Sequence, residues 1–210
     1  MEISVSILNS EDRINDTLVL NNTSCDYLHI DVMDGKFVSD TQFSIDEIKN
    51  IINKSNKKID IHLMVEDPYI YIKELVNYNI DFITIHLEIE QDIDELINLI
   101  KKHNIGVGIS IKPNTNVSEI IRYLDRIDLV LVMSVEPGLG GQSFINNSLD
   151  KVKELKKIIN NKNLDVKIEI DGGVKDTNIK KISDSGVDIS VVGSFITKSN
   201  NFEESIKKLK

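Results

Sequence analysis

The chain has 210 residues, of which 40% are hydrophobic, enough to close one sizeable core and within the range of a single α/β barrel. A formal net charge of −9 leaves no basic surface for nucleic acid or an anionic membrane, and no stretch of about 18 apolar residues reads as a membrane span, so small-molecule chemistry is favoured. The one cysteine, Cys25, excludes an internal disulfide, and the first residues read as a strand rather than a secretory leader, so a cytoplasmic protein is expected.

Short β-branched runs occur at Ile3–Ile7, Tyr27–Val32, Lys58–Leu63, Phe82–Ile85, Gly106–Ile111, Asp128–Met133, Val166–Asp171 and Asp188–Val192. Helical spacing fills several of the gaps. It appears in Ile72, Leu75 and Val76 behind an Asp67-Pro68 start, in Ile93, Leu96, Ile97 and Ile100, and in Val117, Ile120, Ile121 and Leu124. Leu149, Val152, Leu155 and Ile159 continue it, followed by Phe202, Ile206 and Leu209. Strands roughly 20 to 40 residues apart with helices between them run parallel, and eight such units close best as a (β/α)8 TIM barrel. An open doubly wound sheet is the alternative. No linker or low-complexity tract divides the chain, so residues 1–210 are read as one catalytic domain.

Alternation along the strands separates a polar set from an apolar one. Ser4 and Ser6 oppose Ile3, Val5 and Ile7, while His29, Asp31 and Met33 oppose Ile30 and Val32. His62 with Met64, Thr84 with His86, Ser110 with Lys112, and Glu169 with Asp171 extend the polar face. Because the outer face of a barrel must meet helices, the polar face is expected inside, with its functional groups at the C-terminal strand ends. His29, Asp31, His62 and Asp171 could there converge on one divalent ion. Their mixed nitrogen and oxygen donors suit Zn²⁺, Fe²⁺, Mn²⁺ or Co²⁺ better than Ca²⁺ or Mg²⁺. Met33, Met64 and Met133 each end an apolar run beside these groups, which suggests a shared place at the site over ordinary core filling.

Glycines mark the other half. Pro137-Gly138-Leu139-Gly140-Gly141-Gln142 follows the sixth run, Gly172-Gly173 the seventh and Gly193-Ser194 the eighth. Glycine turns expose backbone N–H groups, and the loops after the last barrel strands are a usual phosphate site.

These segments resemble, in order and over nearly the whole chain, the signatures of the ribulose-phosphate 3-epimerase family. The resemblance is carried by Ser6-Ile7-Leu8, His29-Ile30-Asp31-Val32-Met33-Asp34-Gly35, His62-Leu63-Met64-Val65, His86-Leu87-Glu88 and Lys112-Pro113-x-Thr115. It continues through Met133-Ser134-Val135-Glu136-Pro137-Gly138-Leu139-Gly140-Gly141-Gln142, Asp171-Gly172-Gly173-Val174 and Gly193-Ser194. It implies interconversion of D-ribulose 5-phosphate and D-xylulose 5-phosphate in the pentose phosphate pathway, with one divalent metal on His29, Asp31, His62 and Asp171. It makes Asp31 the proton acceptor and Asp171 the donor. Ser6, His62, Met33, Met64, Met133, Gly138, Leu139, Gly140, Gly141, Gln142, Asp171, Gly172, Gly173, Gly193 and Ser194 would hold the sugar phosphate. A homo-oligomer, dimer or hexamer, is implied as well.

The chain departs from the family pattern after the second run, where Lys36, Ser39-Asp40 and Ser44 replace a histidine, a Pro-Asn pair and a glycine, and at Val5, which replaces a proline. His86, Lys112 and Glu169 are read as structural hydrogen-bonding groups, and His103 as a surface residue. Three other readings compete. An epimerase of a six-carbon relative such as D-allulose 6-phosphate would share the metal and both aspartates. A barrel of the orotidine-monophosphate decarboxylase type needs an Asp-x-Lys-x-x-Asp array, which Met33 breaks. A catalytically silent binding module would have no need of both aspartates and both histidines.

Overall fold

A computed structural model describes residues 1–210. Its strands are β1 (Glu2–Ser6), β2 (Tyr27–Asp34), a two-residue β3 (Thr41–Gln42), β4 (Lys58–Met64), β5 (Phe82–His86), β6 (Gly106–Ile111), β7 (Leu129–Met133), β8 (Lys167–Asp171) and β9 (Ile189–Val192). The order β1-β9-β8-β7-β6-β5-β4-β2, with β1 also pairing β2, closes eight parallel strands into a barrel. β3 adds antiparallel to the far end of β2, where Met33 opposes Gln42.

The intervening helices are α1 (Arg13–Leu20), α2 (Ile45–Lys54), α3 (Pro68–Leu75), α4 (Ile93–Lys101), α5 (Val117–Ile120), α6 (Ser148–Lys162), α7 (Asp176–Asp184), α8 (Ser194–Thr197) and α9 (Phe202–Lys207). Their starts follow capping chemistry, with Asp12, Ser44, Asp67 and Asp92 side chains accepting first-turn N–H groups. α6 ends where Asn163 turns left-handed at φ 51°. The helix expected through Leu124 is shorter than its apolar spacing suggests. It gives way to a 3-10 turn at Ile121–Tyr123, a tighter turn that leads the chain back to the barrel. No helix is long and apolar enough to cross a membrane.

Burial follows the predicted alternation. Ile3, Val5, Ile30, Val32, Ile61, Leu63, Ile83, Ile85, Ile109, Val130 and Ile170 are fully buried in one continuous cluster between strands and helices. A full burial of one such side chain is worth about 1.5–3 kcal/mol, so this outer layer is the main apolar contribution to the fold. The interior holds two smaller apolar groups, one built on Tyr27, Leu129, Leu131, Met133, Val135 and Ile189, the other on Met33, Val38 and Met64. Most of the other interior side chains are polar, among them Ser4, Ser6, His29, Asp31, Asp60, His62, Thr84, His86, Ser110 and Glu169.

One device recurs around the barrel. Asp26, Asp81, Asp128 and Asp188 immediately precede β2, β5, β7 and β9. Each donates its backbone N–H to the carbonyl of Ile3, Ile59, Val107 or Ile168, at 2.8–2.9 Å. Each carboxylate then accepts the N–H of that same residue, at 2.9, 3.0, 2.8 and 2.9 Å. Every second strand is thereby clipped to its predecessor, and the register that carries the functional groups is fixed at the end opposite the site.

Candidate active site at the barrel mouth

Register brings the site together. His29 lies beside Asp60, Asp31 beside His62, Met33 beside Met64, and Met133 beside Asp171 in adjacent strands. Asp31 Oδ1 is 3.2 Å from His29 Nε2 and 3.3 Å from His62 Nδ1, while His62 Nδ1 is 4.0 Å from Asp171 Oδ2. One donor atom from each of His29, Asp31, His62 and Asp171 lies within 4.8 Å of every other. Bonds of about 2.1 Å to a shared ion would set tetrahedral donors roughly 3.4 Å apart, so this set fits a small divalent cation of intermediate softness. Ser6 donates its hydroxyl to Asp31 Oδ2 at 2.6 Å.

The two aspartates sit in opposite electrostatic states. Burial raises the Asp31 pKa, but the His29 imidazole, first by its charge and then by its hydrogen bond, outweighs it and holds the carboxyl far below its usual range. Asp171 is pushed up to about 7, by burial first and then by the charge on Asp31. One carboxyl is thus a standing anion and the other a proton holder near neutrality, the division of labour that an acid–base pair needs.

A second layer supports this cluster. Asp60 Oδ2 is 2.6 Å from His29 Nδ1 and also accepts the Ser4 hydroxyl at 2.9 Å, which directs His29 Nε2 toward Asp31. Burial opposes the His29 charge, yet Asp60 and Asp31 raise its pKa well above the usual value. Burial, and then the Asp60 charge, raise the pKa of the fully buried Glu169 well above the usual carboxyl range. On the other side His62 Nε2 meets His86 Nε2 at 2.9 Å, and His86 Nδ1 meets Glu88 Oε2 at 3.0 Å. Burial pushes His86 down to about 4. Burial works the other way on Glu88, but His86, the Lys112 N–H and Thr115 hold it down at about 2.

Above this floor opens a cleft whose lining contains Ser6, Asp31, Met33, Met64, Met133, Gly138, Leu139, Gly140, Gly141, Gln142, Asp171, Gly172, Gly173, Gly193 and Ser194. His29 and His62 are fully buried and stand outside that lining, beneath the carboxylates. Leu8, Val135, Glu136, Pro137 and Val174, quoted in the family segments without a site role, line the cleft too, as do Val191 of the last strand and Asn9 and Lys175, which the sequence did not single out. For Asn9 the only cue is its place beside the Ser6-Ile7-Leu8 segment. Glycine is required at Gly173, where φ is +66° and a Cβ would stand 2.6 Å from the Phe144 nitrogen. The departing loop folds over the rim: Val38 is buried and packs where a Cβ on Gly138 would meet it at 2.9 Å. Ser44, in place of the family's glycine, caps α2 by accepting the Glu47 N–H at 3.3 Å.

A closed parallel barrel with a His/Asp cluster and a glycine-rimmed cleft at its C-terminal mouth defines a (β/α)8 enzyme. Solved barrels share the shape at low identity. 3-Hexulose-6-phosphate synthase aligns with TM-score 0.72 and 15% identity over 100% of this chain and 98% of that one. A mutant tryptophan synthase alpha-subunit from Pyrococcus furiosus aligns with TM-score 0.75 and 15% identity over 99% and 96%. Sequence relatives narrow the assignment. The model of the Ribulose-phosphate 3 epimerase family matches residues 2–197. The ribulose-phosphate 3-epimerase of Helicobacter pylori (strain ATCC 700392 / 26695) is 34% identical over 187 residues, 89% of this chain and 86% of that protein. That of Aquifex aeolicus (strain VF5) is 38% identical over 185 residues, 88% and 83% respectively. The chain belongs to the ribulose-phosphate 3-epimerase family.

Proposed function

We propose that the chain acts as one catalytic domain, a metal-dependent isomerase that interconverts D-ribulose 5-phosphate and D-xylulose 5-phosphate in the pentose phosphate pathway. The observation that carries this reading is the convergence of Asp31 and Asp171, from non-adjacent strands, on one cleft and one cluster of donor atoms with His29 and His62. Inverting C3 requires a proton to leave one face and another to arrive at the opposite face. Asp31 takes the proton, and Asp171 delivers one from the other side. His29, Asp31, His62 and Asp171 would hold Zn²⁺, Fe²⁺, Mn²⁺ or Co²⁺, and such an ion supplies positive charge that offsets the negative charge of the enediolate oxygens. The Ser6 hydroxyl fixes the Asp31 carboxylate while it works. Met33, Met64 and Met133 wall the planar intermediate with polarisable sulfur that offers no proton to the wrong atom. Gly138 to Gln142, Gly172, Gly173, Gly193 and Ser194 hold the rest of the substrate, chiefly its phosphate, through exposed backbone N–H groups.

A buried, unpaired Cys25 fits a reducing cytoplasmic setting. Exposed Leu18 and Val19 on α1, and Tyr69 and Ile70 on α3, offer apolar outer area for a dimer or hexamer. Metal analysis of the purified protein, followed by conversion of D-ribulose 5-phosphate, tests the activity. Parallel rates on five- and six-carbon ketose phosphates test substrate size: a faster six-carbon reaction would replace the pentose assignment, and no turnover on either would leave a silent binding barrel.

A further inference from the structure

Behind His62, one chain of polar groups has no role in the proton transfers above. It runs from His62 on β4 through the buried His86 at the end of β5 to the half-buried Glu88 just beyond, whose carboxylate reaches the loop after β6. Glu88 Oε1 accepts the Lys112 backbone N–H at 2.8 Å and the Thr115 hydroxyl, so this carboxylate is surrounded by donors. Its Oε2 must then accept from His86 Nδ1, at 3.0 Å. A neutral imidazole with hydrogen on Nδ1 has a bare lone pair on Nε2. That lone pair faces His62 Nε2 at 2.9 Å, a separation that tolerates one hydrogen between the nitrogens, neither two nor none. With both rings neutral, that hydrogen sits on His62 Nε2. His62 Nδ1 is then left bare, aimed at the gap between Asp31 Oδ1 and Asp171 Oδ2, 3.3 and 4.0 Å away.

We infer that Glu88 is a positioning residue that sets the tautomer of His62 through His86, so that His62 Nδ1 presents a ready lone pair to a divalent cation. The inference rests on the reading of His62 as a ligand and adds what prepares it. The opposite order, in which Glu88 carries the proton and His62 holds hydrogen on Nδ1, would point an N–H at Asp31 and block the ion's approach. Dryness keeps the order fixed. His86 is fully buried, and the Phe37 ring lies over it at 4.7 Å between centroids, itself covered by the Lys112 ammonium at 4.0 Å. Phe37 belongs to the loop in which this chain departs from the family pattern, so that loop is tied to the ligand set as well as to the cleft rim.

The test is nitrogen-15 NMR of the histidine rings in the ion-free protein, with Co²⁺ affinity measured by chelator competition. Wild-type His62 is expected to carry hydrogen on Nε2 before any ion is added. Glu88→Ala is expected to move it to Nδ1 and to weaken Co²⁺ binding about 10–100-fold. Hydrogen on Nδ1 of ion-free wild-type His62 would overturn the inference even if the variant fails to fold, as would a folded variant with unchanged tautomer and affinity within twofold. Epimerase inactivity of a protein that shows the expected tautomer and Co²⁺ affinity would count against the proposed reaction alone and leave the relay standing.

Discussion

At the scale of single residues, the account separates groups that move protons from groups that hold them in place. Asp171→Asn keeps the shape of the side chain but removes its proton chemistry and one anionic donor, so at saturating Co²⁺ turnover should still fall by about 10²–10⁴-fold or more while the thermal unfolding midpoint stays close to wild type. Near-wild-type rates would remove Asp171 from the mechanism. Asp31→Ala deletes the proposed base and one proposed ligand together. It should abolish turnover and also weaken Co²⁺ binding at least tenfold in chelator competition, a double loss that a purely catalytic carboxylate would not show. The ligands were legible in the sequence because a period of two puts His29, Asp31 and Met33 on one face whatever the fold around them. Their supporting partners were not legible. Asp60 reads as one more polar residue until register sets it beside His29, and Glu88 lies past the end of its strand, where side-chain direction no longer follows alternation.

At the scale of elements, the strand-start aspartates make a separable claim about stability. Asp128 accepts the Val107 N–H at the end of the barrel remote from the cleft, so Asp128→Ala should cost about 1–3 kcal/mol in urea unfolding with little change in kcat at temperatures where the variant is folded. A loss of activity without loss of stability would contradict that division. The Gly172-Gly173 turn makes the converse claim. A Cβ at Gly173 would push on the Phe144 and Gln142 backbone, so Gly173→Ala should raise KM for the sugar phosphate at least tenfold by displacing the N–H groups that face it. The eight β-rich runs and the polar face were readable because each pattern is local. α1, α2 and α7 went unread. In α2 the signal was present, since Ile45, Ile48, Ile51 and Ile52 stand at helical spacing behind Ser44; in α1 and α7 Asn, Asp and Lys interrupt the apolar face, and only packing against neighbours shows that Thr17 and Ile182 point inward.

For the whole molecule, the charges under the cleft couple cation binding to pH. An ion must displace the proton held by Asp171 below about 7, and the second proton that Asp60 and Asp31 keep on His29. Calorimetry in two buffers of different ionisation enthalpy should therefore show more protons released on Co²⁺ binding at pH 6 than at pH 8.5, and weaker binding at the lower pH. The ion-free fold carries the opposite slope above neutrality. A histidine whose folded pKa is raised stabilises fully below its unfolded value, and that contribution is lost as pH rises through the folded one, so ion-free protein should lose stability above pH 7 while ion-loaded protein should not. The central claim, two aspartates working on opposite faces of one carbon, is tested most directly by proton NMR of D-ribulose 5-phosphate turned over in D₂O by the cation-loaded protein. Wild type should give D-xylulose 5-phosphate carrying deuterium at C3, whereas Asp171→Asn should wash deuterium into unreacted D-ribulose 5-phosphate without inverting it. Product with no deuterium at C3, or inversion by Asp171→Asn at the wild-type rate, would contradict the account.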